Sequence, residues 1–122
     1  MKKIRQIIFY KNHFENFFNE QTEKVKNKID EVLYLITIIE RVPKKFLQHM
    51  EGTDGLYEVR IELGSNIFRV FCCFDEGRLV VLFNGFQKKT QKTPKGEIDK
   101  AEKLKIEYFN QKNENENENK RK

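Results

Sequence analysis

Hydrophobic residues recur every three or four positions between residues 25 and 39, with charged residues between them. This spacing places the apolar side chains on one face of an α-helix, which is the clearest element that the sequence predicts. Pro43 limits the helix, because proline lacks a backbone N–H and disfavours helix in the residue before it. We therefore predict a helix from Glu23 that ends near Glu40 to Val42. Its apolar residues are Val25, Ile29, Val32, Leu33, Ile36 and Ile39.

Two shorter elements precede this helix. Ile4 to Tyr10 is rich in β-branched and aromatic residues, which predicts an opening strand. Asn12 offers an N-cap, with Glu15 three residues later and phenylalanines at helical spacing, which predicts a short helix that Asn19 to Thr22 ends. After the long helix, Lys44 to Asp54 is predicted to be a connector.

Alternation with a period of two marks the second half of the chain. Leu56 to Leu63 alternates apolar and acidic or basic residues, so one face is buried and the other is polar. Gly64-Ser65 suits a tight hairpin to a strand over Asn66 to Phe74, and Asp75 to Gly77 turns into a third strand over Arg78 to Phe86. The three strands form an antiparallel meander. Because both faces of the last two strands are apolar, each side of the sheet must be covered.

The C-terminal part resolves into a helix and a tail. After Pro94, apolar residues at helical intervals predict a helix over Lys95 to Phe109. Residues 110–122 contain no apolar residue and alternate Asn with Glu, which predicts a disordered polar tail. The sequence thus predicts an α+β fold with an N-terminal strand, two helices, a three-stranded meander and a C-terminal helix. Residues 1–109 form the single domain.

Composition sets the class of protein. Charged residues make up 35% of the 122 residues and hydrophobic residues 38%, so a real core lies beneath a heavily solvated surface. The net charge is +5, which permits contact with phosphate backbones. No apolar run approaches the roughly 20 residues of a membrane span, and the first residues lack a signal-peptide pattern. We therefore expect a cytoplasmic protein with no membrane partner.

Several kinds of catalytic site are absent from the sequence. Cys72 and Cys73 are neighbours in a strand, where successive side chains point to opposite faces, so neither a disulfide nor a metal site is expected from them. His13 and His49 have no partner at a catalytic or metal-binding spacing. There is no phosphate-binding glycine loop and no nucleophile elbow. We expect no metal and no cofactor, so that any catalysis relies on Arg, Lys, Glu and Tyr.

The hairpin register brings two arginines together. If Gly64-Ser65 is a two-residue loop, Arg60 lies directly across from Arg69 on one face of the sheet. Opposed cations destabilise a sheet unless an acid, an anion or water separates them, which makes the pair a candidate phosphate site. Glu58 and Glu62 lie on the same face. The alternative is an exposed ladder of charges whose salt bridges contribute little.

The segment after the last strand adds more cations. From Lys88 to Lys95 the chain carries four lysines and no acid. Lys88 and Lys89 can therefore converge with the two arginines on one groove, and cations together with flat rings are what an RNA strand requires. Four aromatic residues are available, although alternation in a strand favours core packing for most of them. They are Tyr57, Phe68, Phe71 and Phe86.

The order of elements and the strings YEVRI, FRVF and NGFQKKTQKTP resemble the RelE/ParE superfamily of type II toxin–antitoxin toxins. The closest similarity is to the HigB-like, phage-derived branch. The local match spans Leu56 to Leu104. This resemblance implies a RelE-like, mostly antiparallel four-stranded sheet.

Toxins of this branch cleave mRNA, commonly on the ribosome, without a metal, by attack of the ribose 2′-hydroxyl on the adjacent phosphate. The resemblance implies an endoribonuclease that inhibits translation, in which Arg60 and Arg69 hold the scissile phosphate and stabilise the developing charge. Lys88 or Lys89 would assist from the last loop. Glu58 and Glu62 are the candidates for the general base. The sequence has no histidine near the last strand, where some of these toxins carry one.

The resemblance also implies a cognate helix-turn-helix antitoxin that masks the toxin, with mRNA and the ribosome as the other partners. Two alternatives remain open at the level of sequence. ParE-type toxins share the fold but bind DNA gyrase without nuclease chemistry, and a phage-derived module could bind RNA or protein without catalysis. The sequence does not fix codon preference, ribosome dependence or oligomeric state.

Overall fold

A computed structural model describes the backbone of residues 2–121 and the side chains of residues 2–119. Across these residues the chain forms one five-stranded sheet with helices on both faces. The strands are β1 (Gln6–Phe9), β2 (Leu47–His49), β3 (Tyr57–Leu63), β4 (Asn66–Asp75) and β5 (Leu79–Lys88). The helices are α1 (His13–Asn19), α2 (Glu23–Ile38) and α3 (Lys95–Arg121). The predicted α+β fold and order of elements are confirmed.

The sheet has the strand order β1-β5-β4-β3-β2. β3, β4 and β5 form the predicted antiparallel meander, and β1 joins it in parallel to β5. The expectation of four strands was wrong, because three residues of the predicted connector pair with β3 as the edge strand β2. The strand was missed because three residues are too few to show a periodic pattern.

The helices divide the core into two layers. Phe14 and Phe17 of α1, with the apolar face of α2, cover one face of the sheet. Ala101 and Leu104 of α3 cover the other face. Both sides of β4 and β5 are therefore covered, as their apolar pattern predicts. Cys72 and Cys73 are buried in opposite layers as free thiols.

Two helix boundaries differ from the predictions. Asn12 precedes α1, but its side chain makes no capping hydrogen bond. α2 ends at Ile38, earlier than predicted, and Arg5 binds carbonyls at its end: Nη1 donates to Ile36 O in the last turn at 3.0 Å and to Ile39 O just after it at 2.5 Å. A basic side chain from the first segment of the chain thus replaces the last turn of the predicted helix.

The polar tail predicted beyond Phe109 is helical in the structure, where α3 continues to Arg121. After Gly96 no glycine or proline interrupts the helix. Lys112 Nζ lies 2.8 Å from Asp75 Oδ1, and Tyr108 donates a hydrogen bond to Asp75 Oδ2 at 2.6 Å. These contacts fasten the helix to the turn between β4 and β5. None of the described helices is long and apolar enough to span a membrane.

Candidate phosphate-binding groove

The candidate site lies on the face of the sheet that α3 covers only in part. The register pairs Arg60 with Arg69, as predicted, and pairs Arg69 with Phe86. The next row along the strands contains Glu62, Ile67 and Lys88. Because paired residues point to the same side of a sheet, these side chains share one surface. The apolar half of that face packs on α3, and the charged half does not.

Glu58 lies between the two arginines. Its Oε1 atom is 3.6 Å from Arg60 Nε and 3.8 Å from Arg69 Nε, so one carboxylate serves two cations. The Glu58 side chain is 11% exposed and that of Arg69 is 2% exposed. Charges that are removed from water to this degree require partners. Here two arginines share one carboxylate, so the group of three side chains has a net charge of +1.

Hydrogen bonds do not satisfy the two guanidinium groups. Arg60 Nη1 donates to Gln48 Oε1 at 2.8 Å, and Arg69 Nη1 donates to the Phe68 carbonyl at 3.0 Å. Both Nε atoms are buried, and within the described part of the chain neither has an acceptor at hydrogen-bond distance, since Glu58 Oε1 lies at 3.6 and 3.8 Å. Burial, and then the charge of Arg60, lower the pKa of Arg69 from the usual arginine value, while Glu58 and Glu62 oppose that shift. The two arginines therefore carry more positive charge than the Glu58 carboxylate neutralises.

A groove of about 730 Å³ opens beside this pair, and Arg60 and Arg69 form part of its wall. Lys88, at the end of β5, is half-buried, and Lys89 beyond it is exposed; both line the groove. Glu62 is exposed on the opposite wall. An anion in the groove would meet several cations in a partly enclosed setting, where electrostatic attraction is stronger than in bulk water.

The structure brings the predicted residues together in two groups. Arg60, Arg69, Lys88, Lys89 and Glu62 line the groove, whereas Glu58 lies beneath it as the counter-charge of the arginines. Their catalytic roles remain predictions. One contributor, Gln48, was missed. It holds the Arg60 guanidinium from β2, and no pattern in the sequence marks it, because its strand is too short.

The aromatic residues of the meander belong mostly to the core. Phe68, Phe71 and Phe86 are 3%, 0% and 8% exposed, and the Tyr57 ring packs edge-on against Phe74. This agrees with the packing role that their alternation favours. The three phenylalanines offer no open face for stacking a base, and Tyr57 does not line the groove. Phe86 borders the site because it pairs with Arg69.

A second cationic groove lies at the opposite end of the sheet, near Lys3, Arg5 and Arg78. Its arginines are already occupied. Arg5 caps the end of α2, and Arg78 forms a two-point contact with the Glu40 carboxylate at 3.0 and 3.2 Å. Paired cations attract a further anion less than the unsatisfied pair at Arg60 and Arg69 does.

The remaining candidate chemistry is sparse. Among the side chains of residues 2–119, no three His, Cys, Asp or Glu residues are placed to hold a metal ion. His13 begins α1, and His49 ends β2 with its ring 5.2 Å from that of Tyr57. Neither histidine lines the groove at Arg60 and Arg69.

Comparison with known proteins places the chain in a family. Residues 16–105 match the family described as Phage derived protein Gp49-like (DUF891). No curated protein matches the chain significantly. The crystal structure of the archaeal RelE–RelB complex from Pyrococcus horikoshii OT3 contains a chain similar to this one, at 18% identity and a TM-score of 0.50. The similarity covers 67% of this chain and 92% of that chain. The resemblance to RelE at the level of the fold is thus confirmed, and the chain belongs to the Gp49-like family of phage-derived proteins.

Proposed function

We propose that this protein is the toxin of a type II toxin–antitoxin pair and that it cleaves mRNA without a metal. The observation that carries the proposal is the pair of the buried Arg69 and the part-exposed Arg60, which has one carboxylate for two cations beside an open groove lined by two lysines. Phosphodiester groups provide the missing negative charge. Membership of the Gp49-like family and the RelE-like fold support the same conclusion.

In the proposed reaction, the 2′-oxygen of a ribose attacks the adjacent phosphorus atom and the 5′-oxygen leaves, which gives a 2′,3′-cyclic phosphate. The part-exposed Arg60 and Lys88 bind the non-bridging oxygens and stabilise the charge that accumulates on them. The buried Arg69 adds positive potential from below. The leaving oxygen takes its proton from water.

Of the two acids, Glu62 is the better candidate for the base that accepts the 2′-hydroxyl proton. It is exposed on the wall of the groove, whereas Glu58 lies between two guanidinium groups. A base must come within hydrogen-bond reach of the proton that it removes. We assign Glu58 the separate task of keeping the two arginines in place.

The proposed partners follow from the same surface. In the similar archaeal structure, RelE is in complex with RelB. By analogy we propose a cognate antitoxin, of the helix-turn-helix class that the resemblance implies, with an acidic segment that competes with RNA for the groove. Messenger RNA on the ribosome is the substrate that the resemblance implies, and we propose a single-stranded segment of it, since unstacked bases are open to recognition.

The test is induced expression in bacteria, with growth followed and mRNA ends mapped in the same cultures. The wild-type protein should arrest growth and produce discrete cuts within coding regions. Arg60→Ala should lose both effects, because removal of one such donor costs about a hundredfold or more in rate. Arg78→Ala is the matched control: it removes an arginine that pairs with Glu40 outside the groove. Arrest without cleavage would overturn the proposal and favour a gyrase-type binding toxin. Cleavage that survives Arg60→Ala would show that the arginine pair is not the site of the reaction.

A further inference from the structure

Another groove, of about 450 Å³, runs along the outer side of β5, between α1 and α3. β1 pairs only with Leu79 to Leu82, so within residues 2–121 the later part of β5 has no neighbouring strand on that side. The sequence Asn84-Gly85-Phe86 lies in this later part and lines the groove. Phe86 pairs with Arg69, but the proposed RNA-cleaving site does not account for Asn84 and Gly85.

The local structure explains Gly85 and the direction of Asn84. A side chain at Gly85 would meet the Phe17 ring at 2.5 Å, so glycine allows α1 to approach β5. The register shifts between Val70 and Cys72, and β5 carries an extra residue there. Asn84 then points to α3, where its Nδ2 donates to Glu97 Oε2 at 2.8 Å and to the Glu97 carbonyl at 3.2 Å.

The carbonyl oxygen of the Asn84 side chain has no hydrogen-bond donor among the described residues. Asn84 is 2% exposed, its Oδ1 atom is buried, and no donor from the described residues reaches it. A buried acceptor without a donor costs about 1–3 kcal/mol, so a ligand that supplies an N–H would recover this free energy. Since Asn84 lines the groove, the groove suits a ligand with an amino or imino group.

The rest of the lining suits a nucleotide. Lys89 and Lys100 provide two positive charges against the single carboxylate of Glu20, and the amides of Gln21 and Gln87 can both donate and accept hydrogen bonds. Burial, followed by Lys100 and Lys11, lowers the pKa of His13, which keeps this imidazole neutral near pH 7. Neutral rings and amides are typical of sites that bind the hydrogen-bonding edges of bases.

The groove along β5 meets the groove at Arg60 and Arg69, because Lys89 lines both of them. We propose that the groove along β5 holds the base of the nucleotide next to the phosphate bound at Arg60, and that it gives the protein a preference among bases. This inference rests on the proposed function. A free sheet edge also suits an added peptide strand. The amide-rich, cationic lining favours the nucleotide.

The test uses 2′-O-methyl pentanucleotides of A, C or U, which lack the attacking hydroxyl and remain intact. Fluorescence anisotropy should give Kd values for the wild-type protein that differ by about tenfold among the three oligonucleotides. Gln87→Ala, at an exposed side chain, should reduce this spread to less than about threefold. Gln111→Ala, at an exposed glutamine of α3 outside both grooves, should leave the spread unchanged.

Arg60→Ala separates the two proposals, since it should weaken binding of all three oligonucleotides equally and preserve their ratios. A spread that Gln87→Ala leaves intact, or no spread in the wild-type protein, would overturn the base site. If Arg60→Ala does not weaken oligonucleotide binding, but Gln87→Ala still removes the differences in Kd, the proposal for the phosphate groove alone is overturned.

In the NMR spectrum of the wild-type protein, the oligonucleotide with the lowest Kd should shift the Asn84 side-chain amide signals, and inorganic phosphate should not. Unchanged Asn84 signals would count against the base site.

Discussion

Replacing Arg69 by methionine should stabilise the protein while it abolishes activity. Arg69 is 2% exposed, faces Arg60 across the hairpin and shares the Glu58 carboxylate with it. Methionine keeps most of the side-chain volume and removes one buried cation. The remaining Arg60 and Glu58 then form a balanced pair. A functional site that is built on excess charge should gain stability when the excess is removed.

The magnitude follows from the distances. At 3.6–3.8 Å and an effective dielectric of about 20, each guanidinium–carboxylate contact is worth roughly 4 kcal/mol. Burying an ion costs several kcal/mol, and Arg69 is in addition repelled by Arg60. We expect Arg69→Met to raise the free energy of unfolding by about 1–3 kcal/mol, because it removes the unbalanced cation and leaves a balanced pair; whole buried ion pairs or triads gain up to about 4 kcal/mol when hydrophobic residues replace them. For a chain of this size, Tm should rise by roughly 4–12 °C.

Urea unfolding followed by circular dichroism measures this change, with RNA cleavage assayed on the same samples. Glu58→Gln is the informative companion, because it leaves the buried Arg69 beside Arg60 with no carboxylate between them and should lower the free energy of unfolding by about 3 kcal/mol. Cleavage by Arg69→Met should fall about a hundredfold or more. A loss of stability in Arg69→Met comparable to that of Glu58→Gln would refute the reasoning, since it would show that Arg69 is a structural ion-pair partner.

Three further predictions concern other parts of the molecule. Gly85→Ala should lower the free energy of unfolding by about 1–3 kcal/mol in urea titrations, because the added carbon would collide with Phe17. Burial raises the pKa of Asp75, but hydrogen bonds, above all from Lys112, bring it below its usual value. The stability that Asp75 contributes is therefore present above about pH 4 and lost as the pH falls further, and Lys112→Met should weaken this dependence in acid-unfolding curves. Burial raises the pKa of Cys73 to about 11, so Ellman's reagent at pH 8 should label it only after unfolding.

Much of the fold follows from local patterns. The period of two in β3 and the Gly64-Ser65 turn fix the hairpin register, and from that register the facing of Arg60 and Arg69 follows directly. The same reasoning separates Cys72 from Cys73. These features depend on residues close in sequence, where turn geometry and alternation leave few choices.

The features that sequence reasoning missed depend on distant contacts. β2 exists because β3 offers it an edge, and its Gln48 reaches Arg60 from 12 positions away. The degree of burial of Arg69 is set by how the strands and their neighbours pack. The continuation of α3 past Phe109 depends in part on Lys112, which contacts the turn between β4 and β5. A composition without apolar residues cannot indicate such a contact.

The position of α3 and the existence of the groove have one cause. Along β4, the side chains on the α3 side change from Cys73 and Phe71 to Arg69. α3 packs where the face is apolar, because burying the helix against arginine would cost desolvation without a matching gain. The charged half of the face is therefore left open, and the connection from β5 to α3 carries Lys89 beside it. A single change from apolar to charged residues along the strand thus positions the helix and leaves open a groove in which four cations face one acid, so we expect a molecule that fills the groove to carry negative charge.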